Sequence, residues 1–179
     1  MTENYGKLLE DGSLKFERLL PGPISRVWDW FASGEERARW LCGGGTAAKA
    51  GQTIKFDFLH SKLTPHDEAY PEAYEEMESG VSFDVEIMTC DSPSHLVWFW
   101  PSPDSSDVIV DVRLREDGDQ VRLILIQRGE VTPDHLISTS AGWHVHLDIM
   151  AAKMNSDVPW PFWTAHEEKV LEYKKRFGL

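Results

Sequence analysis

Two histidines one residue apart, His144-Val145-His146, are the first places to look for chemistry. On a strand, alternate histidines share a face and chelate a metal. The surrounding pattern is helical, however. At about 100° per residue the two rings point roughly 200° apart and cannot share one ion. His146 lies about 60° from the centre of an apolar stripe through Trp143. It is either a polar anchor or acid–base group reaching inward, or a hydrogen-bonded histidine flanking the core. Arg18 shares strand parity with Leu14, Phe16 and Leu20. It is either a carboxylate anchor inside a cavity or an edge residue paired with Glu17 or Asp29.

Other candidates are weaker. Gly43-Gly44-Gly45 invites comparison with a phosphate loop, but it follows a helical pattern and no Lys-Ser or Lys-Thr comes after it. It reads as a flexible connector. Cys42 has no histidine base nearby in sequence, which leaves a nucleophilic role without support. No H-E-x-x-H, G-x-S-x-G or Cys/His metal spacing occurs. Neither a metal nor a cofactor is expected. The run Glu75-Glu76-Met77-Glu78 reads as a solvated face.

The aromatic residues are more informative. Eight tryptophans and eight phenylalanines stand among 179 residues. Phe56, Phe58, Phe83, Trp98, Trp100 and Trp143 fall on strand and helix faces that should meet, with Trp28 or Trp40 near the mouth. Such rings either line a pocket for a small apolar molecule or fill a dry core.

The elements that must position these residues follow from periodicity. Leu14 to Leu20 alternates as a first strand, ended by Pro21-Gly22-Pro23. Val27, Trp28 and Phe31 share one face of a short helix over 24–32. A second short helix begins at the capping-box pair Ser33 and Glu36 and runs to about Leu41. From Gly51 the period becomes two. Strands are expected around Ile54–Phe58, Val81–Ile87, Leu96–Trp100, Val108–Leu114 and Val121–Leu125. Glu116-Asp117-Gly118-Asp119 signals a hairpin, and the close spacing predicts an antiparallel meander. The acidic segment from His60 to Ser79 is too long for a plain turn and is either a lid or a surface insert. Thr132, Pro133 and Asp134 then start a long helix with the stripe Leu136, Ser140, Trp143, Leu147, Met150 and Met154. A tail helix spans about 164–177, preceded by the aromatic run Trp160-Pro161-Phe162-Trp163.

A lone curved sheet must cover its concave face. The expected fold is therefore α+β: about six antiparallel strands wrapped around the long helix, with two short helices after the first strand and an extra tail helix. Residues 13–155 form the core, and 156–179 a helical extension of the same domain.

The net charge of −12 argues against nucleic acid and anionic membrane surfaces as partners. No apolar run reaches the ~20 residues needed to insert into a bilayer. Two separated cysteines and no opening signal segment predict a reduced, cytoplasmic protein.

Taken in order, Phe16-Glu17-Arg18-Leu19-Leu20-Pro21-Gly22-Pro23, Val27-Trp28, Trp40, Gly142-Trp143 with Leu147, and the tail Phe162-Trp163 with Tyr173 resemble the heat-shock-protein ATPase activator homologue family. That family is a branch of the START-like (SRPBCC, birch-pollen-allergen-like) superfamily. The resemblance covers nearly the whole chain. It implies a helix-grip fold, an internal cavity and a homodimer. Superfamily members bind lipids, sterols and polyketides, and some are cyclases. Three functions follow. The leading one is binding of a small hydrophobic molecule in the cavity. The second is a cyclase- or dehydratase-type enzyme using His146, Arg18 or a cavity tyrosine as acid or base. The third is a protein-interaction module with a chaperone partner, presenting the Trp160–Trp163 run.

Overall fold

The structure, a computed structural model, describes residues 4–101, 107–129 and 132–179. One antiparallel sheet dominates it. In chain order its strands are β1 (Lys7–Leu8), β2 (Leu14–Pro21), β3 (Gly43–Gly44), β4 (Gln52–Phe58), β5 (Val81–Asp91), β6 (His95–Trp100), β7 (Val108–Asp117) and β8 (Gln120–Arg128). Their order across the sheet is β1-β2-β8-β7-β6-β5-β4-β3. The strand count is thus eight among the described residues, not about six. The six longer strands are those the alternation marks. The other two are two-residue edge pairings, too short to carry a period.

Gly43-Gly44-Gly45 is accordingly no loose connector. Gly43 pairs with Asp57 and Gly44 with Phe56. Gly44 has φ +97°, and a Cβ there would lie 2.1 Å from the Lys55 carbonyl oxygen, so only glycine fits. Two helices precede this edge, α1 (Ile24–Ala32) and α2 (Gly34–Arg37). The Ser33 hydroxyl accepts from the Glu36 N–H at 3.4 Å, one half of the expected capping box, while the Ser33 N–H goes to the Asp29 carbonyl instead. The α2 helix is only four residues long, however, and does not continue to Leu41. Arg37 ends it, and its guanidinium turns back to donate to the carbonyls of Phe31, Ala32, Gly43 and Gly45. It lies 4.2 Å from the centre of the Phe56 ring. This fully buried cation knits α1, α2 and β3 together. No periodicity announces it.

The long helix α3 (Pro133–Met154) crosses the concave face. The Thr132 hydroxyl caps it by accepting from the His135 N–H. Every residue of the predicted stripe is buried, from Leu136 to Met154. His144, Val145, His146 and Ile149 are buried too, because a last helix, α4 (Phe162–Phe177), covers the other side of α3. A helix apolar on more than one face must be covered on more than one face. Tyr173 of α4 is fully buried. Its hydroxyl accepts from the Gly6 N–H at 2.7 Å and bonds His144 Nδ1 at 3.0 Å, tying the first residues to the last helix.

The segment between β4 and β5 holds two short 3₁₀ helices, His60–Lys62 of one turn and Glu72–Met77 of two. It folds back onto the start of α4. The Glu68 carboxylate accepts from the N–H groups of Trp163 and Thr164, at 3.1 and 3.0 Å, and from the Thr164 hydroxyl. His66 Nε2 bonds the Pro159 carbonyl. Tyr74 stacks on Trp163, with ring centres 5.0 Å apart.

Candidate functional site

The strands finish β4, β6 and β8, and begin β5 and β7, at one end of the sheet. There the helix and sheet diverge and leave a pocket of about 330 Å³. From the sheet come Phe58, Trp100, Val108 and Gln127; from α3 come Ser138, Thr139, Gly142, Trp143 and His146. The first turn of α4 adds Phe162, Trp163 and His166, and the insert adds His60, Tyr74 and Met77. The acidic insert therefore forms a wall of the pocket, latched to α4 by Glu68.

Four of the ten sequence candidates line this pocket: Phe58, Trp100, Trp143 and His146. Phe83 packs immediately behind them, stacked on Phe58 at 5.5 Å and tilted against Trp100 at 5.2 Å. The other five lie elsewhere. Phe56 and Trp98 are fully buried and meet edge to face at 5.2 Å in the closed part of the core. Trp40 is also fully buried, its Nε1–H donated to the Trp30 carbonyl. Trp28 is buried in the core beneath α1. Arg18 is committed to the Asn4 and Glu17 carbonyls and, at 3.1 Å, to Asp148. Parity identifies the inner face of a strand, but not whether a residue sits at the sealed or the open end of the sheet.

The two histidines of α3 diverge. His144 joins the Arg18–Asp148 pair, with Nε2 3.2 Å from the carboxylate. His146 faces the pocket, where His60 and Phe162 lie 5.5 and 4.9 Å from it, ring centre to ring centre. Its Nδ1 lies 2.7 Å from the Trp40 carbonyl oxygen. A carbonyl only accepts, so Nδ1 carries the proton.

These imidazoles are uncharged at neutral pH. Burial pushes His146 down to about 3, with like-charge repulsion from His60 and His166 in the same direction. Burial, and then His166, pushes His60 down to about 4. His166 is lowered by burial too. No group of three or more His, Cys, Asp or Glu among the described residues is arranged to hold a metal ion. Cys42 is buried, and desolvation pushes its thiol up to about 12, far from a nucleophile's range.

His60, His166 and Gln127 belong to the pocket, and spacing alone does not single them out. Each had a signal. His60 continues the parity of Phe56 and Phe58, and Gln127 that of Leu123 and Leu125. His166 lies four residues after Phe162, on the same face of α4. Gln127 Oε1 accepts the Trp143 indole N–H at 2.5 Å.

Residues 21–155 match the family described as Activator of Hsp90 ATPase homolog 1-like protein. The chain belongs to this family. A solution structure of the protein encoded by gene BPP1335 from Bordetella parapertussis is 35% identical, with a TM-score of 0.80 over 97% of this chain and 91% of that one. CalU16 from Micromonospora echinospora is 17% identical, with a TM-score of 0.65 over 98% and 96% of the two chains. Protein CV1439 from Chromobacterium violaceum is 19% identical, with a TM-score of 0.62 over 81% and 98%. The last two speak for the fold alone. No protein of curated function matches. The Activator of Hsp90 ATPase homolog 1-like membership and these neighbours agree with a START-like, helix-grip architecture. No helix among the described residues is long and apolar enough to cross a membrane.

Proposed function

We propose that the protein binds a small, largely apolar molecule in the pocket between the open end of the sheet, α3 and α4. The observation that carries this reading is an unpartnered polar atom in an aromatic wall. His60 is 7% exposed, and its Nδ1 is buried without a hydrogen-bond partner. Beside it stand the rings of Phe58, Phe162 and Trp163, and Trp100 and Trp143 line the same pocket. A buried nitrogen left without a partner lowers stability by about 1–3 kcal/mol, a cost easier to account for in the wall of a site than in a packed core. The volume of about 330 Å³ falls in the range usual for ligand sites.

The test uses Gly142, which lines the pocket and whose added Cβ would meet nothing within 4 Å. Aromatic and aliphatic compounds are screened by tryptophan fluorescence and thermal shift on the wild type and on Gly142→Leu. Ligands should bind the wild type and fail on the filled variant, whose melting temperature should not fall. A panel in which nothing binds, or binding that survives Gly142→Leu, removes this reading.

A further inference from the structure

Resting on that reading, we propose that the pocket selects an uncharged aromatic ligand bearing a hydroxyl group, bound so that the hydroxyl donates its hydrogen to Nε2 of His146. The tautomer is set by the protein. Nδ1–H is given to the Trp40 carbonyl at 2.7 Å, and a neutral imidazole has one N–H only. The other nitrogen, on the opposite edge of the ring, is therefore a lone-pair acceptor, and no described residue donates to it. Burial keeps the ring from gaining a second proton at neutral pH.

The remaining polar groups agree. Gln127 Oε1 is occupied by Trp143, which leaves its amide N–H₂ as a donor. A hydroxyl both donates and accepts, and so answers this mixed set.

No charged side chain among the described residues answers a charged ligand. Among the described residues no Lys, Arg, Asp or Glu lines the pocket. Arg18, the residue whose parity suggested a carboxylate anchor, is held by Asp148 outside it. A carboxylate brought into this site would lose its hydration without gaining a cation. The histidines cannot supply one, since protonating them is opposed by burial and by one another. Fatty acids and other anionic lipids are thus excluded, and fused or linked phenols are favoured. The ring faces of Phe58, Trp100 and Trp163 suit a flat body.

Four probes on one naphthalene body separate the possibilities: 2-naphthol, 2-methoxynaphthalene, naphthalene and 2-naphthoate, titrated at pH 7.5 by calorimetry and tryptophan fluorescence. The expected order places 2-naphthol about tenfold tighter than 2-methoxynaphthalene or naphthalene. The 2-naphthoate anion should be weakest. His146→Phe should bring 2-naphthol to the level of the methyl ether and leave the ether unchanged. Should His146→Phe fail to fold, histidine ¹⁵N spectra of the wild type supply the readout: the unprotonated Nε2 resonance of His146 should move with 2-naphthol and not with the ether. Equal affinity for naphthol and its ether, an unmoved resonance, or preference for naphthoate overturns the proposal while leaving the binding pocket in place. Failure of all four probes overturns both.

Discussion

The Glu68 carboxylate and Thr164, 96 positions apart, are joined by two hydrogen bonds: Oε1 accepts from the Thr164 N–H at 3.0 Å and from its hydroxyl at 2.8 Å. An acidic side chain from the insert thus caps the N-terminus of α4, where unpaired N–H groups and the helix dipole favour an anion. Glu68→Ala should lower stability by about 1 kcal/mol. It should also accelerate amide hydrogen exchange across residues 60–79, because the latch that holds this wall of the pocket is gone. Unchanged exchange in the insert would show that the aromatic stacking of Tyr74 on Trp163 suffices to hold it.

Arg37 makes a sharper demand. Four carbonyls accept from its buried guanidinium, a spread that a lysine ammonium cannot reproduce. Arg37→Lys should cost at least about 3 kcal/mol in urea unfolding, since the carbonyls left unpaired are buried. A loss under 1 kcal/mol would mean that water replaces the guanidinium.

Stability should fall in mild acid. In the unfolded chain His60 and His146 titrate near the ordinary 6.5; in the folded protein burial moves them to about 4 and about 3. Between those limits the unfolded chain binds more protons, so acid favours it. The full stability is present above about pH 6.5 and is lost as pH drops toward 4 and below. Each group contributes a slope of at most about 1.4 kcal/mol per pH unit. His144 and His166 are lowered by burial as well and act with the same sign. Asp111 and Asp148 are held below the ordinary 3.8 by their basic partners and so act at still lower pH. Urea midpoints measured from pH 8 to 4 should show the decline. His60→Phe should remove one group's share of it.

Gly142 sits in the interior of α3 with open space where a Cβ would be. Glycine there is worth about 1 kcal/mol less than alanine. Gly142→Ala should raise the melting temperature by about 2–4 °C. A decrease would mean that the pocket wall is closer than it stands here.

The aromatic run before α4 should split in two. Trp160 is 74% exposed, whereas Trp163 is 6% exposed within the pocket wall. Trp160→Ala should change stability by less than about 0.5 kcal/mol, and Trp163→Ala should cost about 3–5 kcal/mol. Comparable losses by thermal unfolding would place Trp160 in an interface that the monomer does not contain.

Period and capping alone determined much of this protein. The alternation of Val81, Phe83, Val85 and Ile87 marks a half-covered strand, and the stripe from Leu136 to Met154 marks the helix that covers it, because side-chain direction repeats every 2 or 3.6 residues. The Ser33 and Thr132 caps are equally local. Only the tertiary structure decided which rings bound a space and which fill the core. Phe56 and Phe58 share one face of β4, yet one lies under Arg37 and the other at the open end of the sheet, and depth along a strand leaves no trace in parity. The gathering of His60, His146 and His166 has the same origin. They come from the insert, α3 and α4, and their shared loss of charge arises from burial beside one another, a property that none of their sequence neighbours encodes.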